Sequence, residues 1–218
     1  MLTLIIETST AACSVALIER RGESARLVAS AHEVVGRSHA ERLIPMIAAL
    51  PDGGRADRIA VDVGPGSFTG IRVGIAAARG LALGWRVEVA GFSSLTLVAA
   101  AGLAVRDTAA LAVVLEGGHG EVFMASYAPD TDALGPVALT PFASLRPESA
   151  LAALDGRSAV GNGVRHLLAL DPAIDAVEAL PDAADAVLLP PADLPATPLY
   201  GRAPDAKLPG GLTPAAAV

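Results

Sequence analysis

Cysteine is all but missing from this sequence: Cys13 is the single one in 218 residues, which excludes an internal disulfide framework. Aromatic residues make up only 3%, so the core has to be assembled from Ala, Val, Leu and Ile. Lysine is just as scarce, with Lys207 standing alone against 15 arginines, a skew that reads as coding bias. Basic charge is short overall, 16 Lys and Arg against 23 Asp and Glu, for a net charge of −7. Affinity for nucleic acid rests on basic surface that neutralises phosphates. If this chain serves a nucleic acid, another protein is expected to hold it. Long apolar runs are also absent: no stretch reaches the roughly 20 uninterrupted residues a bilayer needs. The opening MLTLIIETS lacks the basic flank and long apolar run of a signal peptide. A soluble, cytoplasmic protein with no membrane association is expected.

What is present fits a globular chain. Hydrophobic residues make up 52% and the mean hydropathy is +0.51. One large domain or two small ones can be built from this length.

Apolar strands are expected at 2–6, 12–18 and 26–34, with short connections that suggest an antiparallel meander. Ser38-His39-Ala40-Glu41 has the form of a capping box, and Leu43, Ile44, Ile47 and Leu50 follow at helical spacing. Pro45 removes one bond inside that helix and predicts a kink. A buried strand at 58–63 leads into Gly64-Pro65-Gly66-Ser67-Phe68-Thr69-Gly70, then a helix over 71–85, a strand at 87–91 and a helix at 94–103. The pattern then restarts, with a strand at 109–115, the turn Glu116-Gly117-Gly118-His119-Gly120 and a returning strand at 121–127. Glu7 and Glu116 hold matching places in the two halves, which suggests duplication. The expected domains are 1–104 and 105–218, the second ending in a tail with prolines at 181, 190, 191, 195, 198, 204, 209 and 214. These prolines argue against regular structure there.

Several groups could carry chemistry. The glycine loop 64–70 precedes a helix N-terminus, a natural anion site. It lacks the Gly-Lys-Ser/Thr end of a P-loop and the spacing of a dinucleotide fingerprint, so a tight structural turn is the simpler reading. Glu7 and Thr8, with Glu116, Gly117 and Gly118, are candidates for holding magnesium and nucleotide phosphates between two domains. His39 has Leu43, not a second histidine, four residues on, so no metal site is expected. The helix after the loop is apolar nearly all round and carries Gly70, Gly74, Ala78 and Ala82 at four-residue spacing. That smooth seam suits either burial inside the fold or a partner chain. In the second case the interface would involve Leu43, Ile47, Ile71, Gly74, Ile75, Ala78 and Ala82.

Three stretches, IETSTAACSVAL ending at Leu17, SHAERLIP from Ser38 and GPGSFTGIRVGIAAARGLALG from Gly64, resemble the TsaB family. Gly91-Phe92-Ser93-Ser94-Leu95 follows the last block in the family's manner. Weaker matches are Gly120-Glu121-Val122-Phe123, Gly161-Asn162-Gly163 and Tyr200-Gly201-Arg202. The resemblance implies an α/β fold of the actin-like, sugar-kinase-like and ribonuclease H-like class, duplicated, with mixed sheets and flanking helices. It implies a non-catalytic, dimerizing subunit that supports the catalytic paralogue TsaD. With the small ATPase TsaE, these proteins transfer a threonylcarbamoyl group to the tRNA adenosine beside the anticodon. No cofactor is then expected in this chain; ATP and metal belong on the partner subunits, tRNA is met only through the complex, and a homodimer is a further possibility. The paralogue carries its metal pair in a His-x-Glu-x-His stretch, and His39-Ala40-Glu41-Arg42-Leu43 keeps that frame with Leu43 in place of the second histidine. Glu7 and Glu116-Gly117-Gly118 depart from the aspartate and the Asp-Ala-Arg-like run usual in the family. An ATP-dependent small-molecule kinase or ATPase of the same fold stays open as an alternative, with a peptidase behind it.

Overall fold

The computed structural model describes residues 1–22, 24–130 and 135–199. The first five strands are β1 (Leu2–Glu7), β2 (Ala12–Arg21), β3 (Ser24–Val34), β4 (Arg58–Asp62) and β5 (Glu88–Phe92). They form one sheet in the order β3-β2-β1-β4-β5. β1 and β2, and β2 and β3, pair antiparallel as a meander, whereas β4 joins β1 and β5 joins β4 in parallel. The parallel pairings require crossovers, and these are α1 (His39–Ala49) before β4 and α2 (Phe68–Trp85) before β5.

α3 (Ser94–Val105) leads into a second sheet built from β6 (Leu111–Glu116), β7 (Val122–Pro129), β8 (Pro136–Ala138), β9 (Ala143–Leu145), β10 (Ser158–Val160) and β11 (Ala176–Val177). Its order is β11-β10-β6-β7-β8, with β9 also on β7. Again the first two strands are antiparallel, and β10 and β11 are added in parallel. The short helices α4 (Pro147–Ala153) and α5 (Val164–Leu168) occupy the places of α1 and α2. One pattern is therefore built twice, and the chain has the duplicated actin-like, ribonuclease H-like α/β fold. Glu7 closes β1 and Glu116 closes β6, the same place in each copy.

Four apolar layers hold this arrangement. Leu4, Ile6, Val15 and Leu17 of the first sheet pack on Leu43 and Ile47 of α1 and Ile71, Ile75 and Ala78 of α2. The opposite face, with Ile5, Ala16, Ile18 and Ala60, meets Leu97 and Ala100 of α3. α3 turns Leu95, Val98 and Ala99 toward Leu111, Val113 and Leu115 of the second sheet, whose far face packs on α4 and α5. A helix buried on both sides must be apolar all round, which is why α3 reads LTLVAAAGLAV without a charge.

Two local expectations change. Ser38 does precede α1, but its side chain makes no capping bond, because its ψ of 32° is not the extended conformation a cap needs. α2 begins three residues earlier than the periodicity suggests, at Phe68, with the Ser67 hydroxyl accepting from the Gly70 amide at 3.2 Å. The proline-rich stretch has, among the described residues, one 3-10 helix at Ala183–Leu188 and is otherwise irregular, yet it is packed. It lies on the first half: Arg20, Arg58 and Arg79 donate to the carbonyls of Ala186, Ala192 and Ala196, each at 2.7 Å. Leu194 also bridges to Gly91, covering the open edge of β5. The prolines at 204, 209 and 214 lie outside the described residues, as does Tyr200-Gly201-Arg202.

Candidate functional site

β1 ends in Glu7, and the chain turns through Thr8, Ser9 and Thr10 before β2. All four are buried, Glu7 and Thr8 completely. The cover is the glycine loop. An added Cβ would lie 2.1 Å from the Ser9 carbonyl oxygen at Gly66 and 2.0 Å from that of Thr8 at Gly70, so only glycine lets the two backbones meet. The Ser67 amide donates to the Ser9 carbonyl at 2.6 Å, and the Thr8 hydroxyl donates to the Gly70 carbonyl at 2.8 Å. The first turn of the chain thus occupies the helix N-terminus that would otherwise suit an anion. The structural-turn reading of the loop is the one the geometry shows. Glu7 and Thr8, read as candidates for magnesium and phosphate, are closed to solvent in this conformation.

Sequence reading missed the partner of Glu7. Parallel pairing sets β4 beside β1, and Asp62 closes β4 as Glu7 closes β1. An acid ending the apolar run RIAVD was the available signal. Both carboxyls are fully buried, and each shifts the other. Glu7 Oε1 accepts from the Ser9 amide and hydroxyl, each at 2.6 Å, and Asp62 Oδ1 accepts from the Gly64 amide at 2.6 Å. Glu7 Oε2 and Asp62 Oδ2 are buried without a hydrogen-bond partner, and one proton shared between the two carboxyls would satisfy both. Burial, then the charge of Asp62, pushes Glu7 well above the ordinary carboxylate range. Burial pushes Asp62 up to about 7 against the pull of its hydrogen bonds.

The second hairpin is different. Glu116 is exposed, receives a bond from Arg165 at 2.5 Å and lies 3.7 Å from His166 Nε2. Its amide donates to Asn162 Oδ1 at 3.0 Å, within the Gly161-Asn162-Gly163 turn. That turn needs its glycines, since a Cβ at Gly161 would sit 2.3 Å from the Val114 carbonyl oxygen. Gly117 closes the hairpin by donating to the Glu121 carbonyl at 2.9 Å, and Gly118 is exposed. Glu7 and Glu116 share no bonding partner: Glu7 is tied to Ser9 and Asp62, Glu116 to Arg165 and Asn162.

His39 is buried, with its Nε2 3.0 Å from the Ala12 carbonyl oxygen, a bond it makes as donor. Leu43, one turn on, is in the core. No group of three or more potential metal ligands occurs among the described residues.

The proposed interface set has to be corrected. Leu43, Ile47, Ile71, Gly74, Ile75, Ala78 and Ala82 all face inward and are buried within this chain. A Cβ on Gly74 would lie 2.4 Å from Thr8 Oγ1, so the seam is smooth because α2 packs closely on β1. The outward faces carry other residues. On α1 these include Ile44 and Ala48; on α2 they include Arg72, Ala76, Arg79, Gly80, Leu83 and Gly84. Leu83 is 83% exposed, and nothing lies within 4 Å of where a Cβ on Gly80 would be. None of the helices among the described residues is long and apolar enough to cross a membrane.

The model of the family TsaD, tRNA N6-adenosine threonylcarbamoyltransferase, matches residues 29–152. The tRNA threonylcarbamoyladenosine biosynthesis protein TsaB of Haemophilus influenzae is 38% identical over 125 residues, 55% of this chain and 51% of that protein. The Escherichia coli protein of the same name is 34% identical over 139 residues, 62% of this chain and 58% of its own length. The chain thus spans little more than half the length of these curated relatives. An uncharacterized protein of Mycobacterium tuberculosis is 36% identical over 94% of this chain and 93% of its own length. Among solved structures, YeaZ of Pseudomonas aeruginosa superposes with a TM-score of 0.75 at 28% identity, covering 91% of this chain and 99% of that one.

Proposed function

From its place in the family that the TsaD model describes, to which this chain belongs, and from its likeness to the TsaB proteins of Haemophilus influenzae and Escherichia coli, we propose that it is a non-catalytic subunit in the synthesis of threonylcarbamoyladenosine in tRNA. It works by pairing with a TsaD-like catalytic paralogue. The observation that carries this reading is His39. The position that would supply one of two metal-binding imidazoles instead bonds to the Ala12 backbone, and Leu43 fills the core where the second would stand. A buried imidazole donating to a carbonyl is a structural part of the α1–β2 packing.

The pairing surface we assign is the outward face of α1 and α2, which pack side by side. Ile44, Ala48, Ala76, Gly80 and Leu83 give it small and apolar side chains, with Arg72 and Arg79 of α2 also exposed. Small residues let a partner helix approach closely, and exposed Leu83 supplies apolar area to bury. The net charge of −7 agrees with tRNA being held by the other subunits, a TsaE-like ATPase and the catalytic chain. The kinase reading gains no support, since the turn at Glu7 is closed under the glycine loop.

A reconstituted transfer assay tests this. With the paralogue, the ATPase and tRNA held fixed, modification should rise with added chain and saturate at one equivalent. The chain alone should neither modify tRNA nor turn over magnesium-ATP. Turnover by the isolated chain, or full modification without it, would refute the proposal.

A further inference from the structure

A small, partly open cavity lies away from the Glu7 turn, between the first sheet and the 186–192 strap. Its floor is apolar, with Ile5, Ala60 and Phe92, and its walls carry two guanidiniums, Arg20 and Arg58. Register explains the meeting. Thr3 pairs with Ile18 on one side and Arg58 on the other, so Arg58 and Thr3 share a face, and Arg20 lies two residues beyond Ile18 on the same face. The strap, with Leu189, Pro190 and Pro191, roofs the row.

Both arginines are charged at any accessible pH. Each spends one Nη2 on a strap carbonyl, Arg20 on Ala186 and Arg58 on Ala192. Among the described residues neither forms an ion pair, and the lining contains no acid. Arg58 Nε is buried and has no acceptor. Burial alone depresses Arg20, with no carboxylate to offset it. Two partly buried cations beside an unsatisfied N–H make a costly arrangement unless something negative joins them. The volume open to a water-sized occupant is about 20 Å³. That is room for one small particle, not for a phosphate ester or a nucleotide.

We infer that this cavity is a binding site for a small monovalent anion of halide size, held by the Arg20 and Arg58 guanidiniums beneath the 186–192 strap. Bound there, the ion draws the two arginines, and through their carbonyl bonds the strap, onto the sheet. An ion that binds only the folded chain raises the folding constant by the factor 1 + [anion]/Kd, about 11-fold at ten times Kd.

The test compares unfolding in sodium chloride with unfolding in sodium gluconate at equal ionic strength, gluconate being too large for the cavity. The melting temperature should rise saturably with chloride, and Arg58→Met, which keeps an unbranched stem, should abolish that dependence. Crystals grown with bromide should show one anomalous peak between Arg20 and Arg58. Equal melting temperatures in chloride and gluconate, or bromide crystals with only a water in the cavity, would overturn the inference. Both readouts use the unaltered protein, so the test stands even if Arg58→Met fails to fold.

Discussion

The carboxyl pair under the glycine loop makes stability fall as the solution becomes more alkaline. Glu7 and Asp62 both have folded-state pKa values above their ordinary ones, Asp62 at about 7. A raised folded value means that the folded chain holds protons the unfolded chain has released. The contribution is therefore complete below about pH 4, where unfolded carboxylates protonate, and is lost as pH rises through the folded values. Across the interval, each extra proton held by the folded state gives a slope of about 1.4 kcal/mol per pH unit. From pH 5 to 7, one shared proton corresponds to a loss of about 3 kcal/mol, a large fraction of the roughly 5–15 kcal/mol that stabilises a typical domain. Glu19 and Glu33 are lowered by their arginines and have given their contribution above pH 5, and Cys13 matters only in strong alkali. Asp185, raised by burial, has the same sign but lies elsewhere, so a variant is needed to assign the slope. Glu7→Gln keeps the acceptor for Ser9, gives Asp62 a permanent donor and removes one proton site. Urea unfolding followed by circular dichroism at half-unit steps from pH 5 to 8 should show the slope in the natural chain and a shallower one, by about one proton, in Glu7→Gln. A flat profile, or equal slopes in both proteins, would refute a shared proton.

Two further outcomes follow from the same packing. Gly70→Ala should lower stability by at least the ~1–3 kcal/mol typical of overpacking, because its Cβ would fall 2.0 Å from the backbone oxygen of Thr8; an unchanged melting temperature would mean that the loop is not closed on the turn. Cys13 is buried and its thiol is pushed up to about 12. It should ignore a thiol reagent at pH 8 in native buffer and react at once in urea, and fast native labelling would contradict that burial.

The repeated strand order was legible because its cues are local: apolar runs, a glutamate closing each leading strand, and small turn residues before the return. The glycine loop was legible as a turn, but its purpose was not. Gly66 and Gly70 are required by Ser9 and Thr8, residues about 60 positions earlier, and no local spacing encodes that approach. Asp62 was overlooked because one acid at the end of an apolar strand acquires meaning only when β4 lies beside β1. The seam of α2 shows a different limit. Gly70, Gly74, Ala78 and Ala82 form one row of small residues, and Ala76, Gly80 and Gly84 form another. Periodicity finds both rows but does not orient them. Burial puts the first against β1 and leaves the second outside. Prolines in the strap correctly argued against regular structure. They said nothing of the arginine bonds that fasten it across 117 to 166 residues of sequence.

The most direct test of the central claim is calorimetric titration of the TsaD-like paralogue with the natural chain and with Gly80→Arg. Gly80 is exposed, and no atom lies within 4 Å of its Cβ position. Replacing a helical glycine there also improves helix propensity by up to about 1 kcal/mol, so the melting temperature should hold or rise. The natural chain should bind at one to one, and Gly80→Arg should bind at least tenfold more weakly, a loss of about 1.4 kcal/mol or more. Equal affinity of the two proteins would remove the outward face of α1 and α2 as the pairing surface, and no heat of binding from the natural chain would contradict the pairing itself.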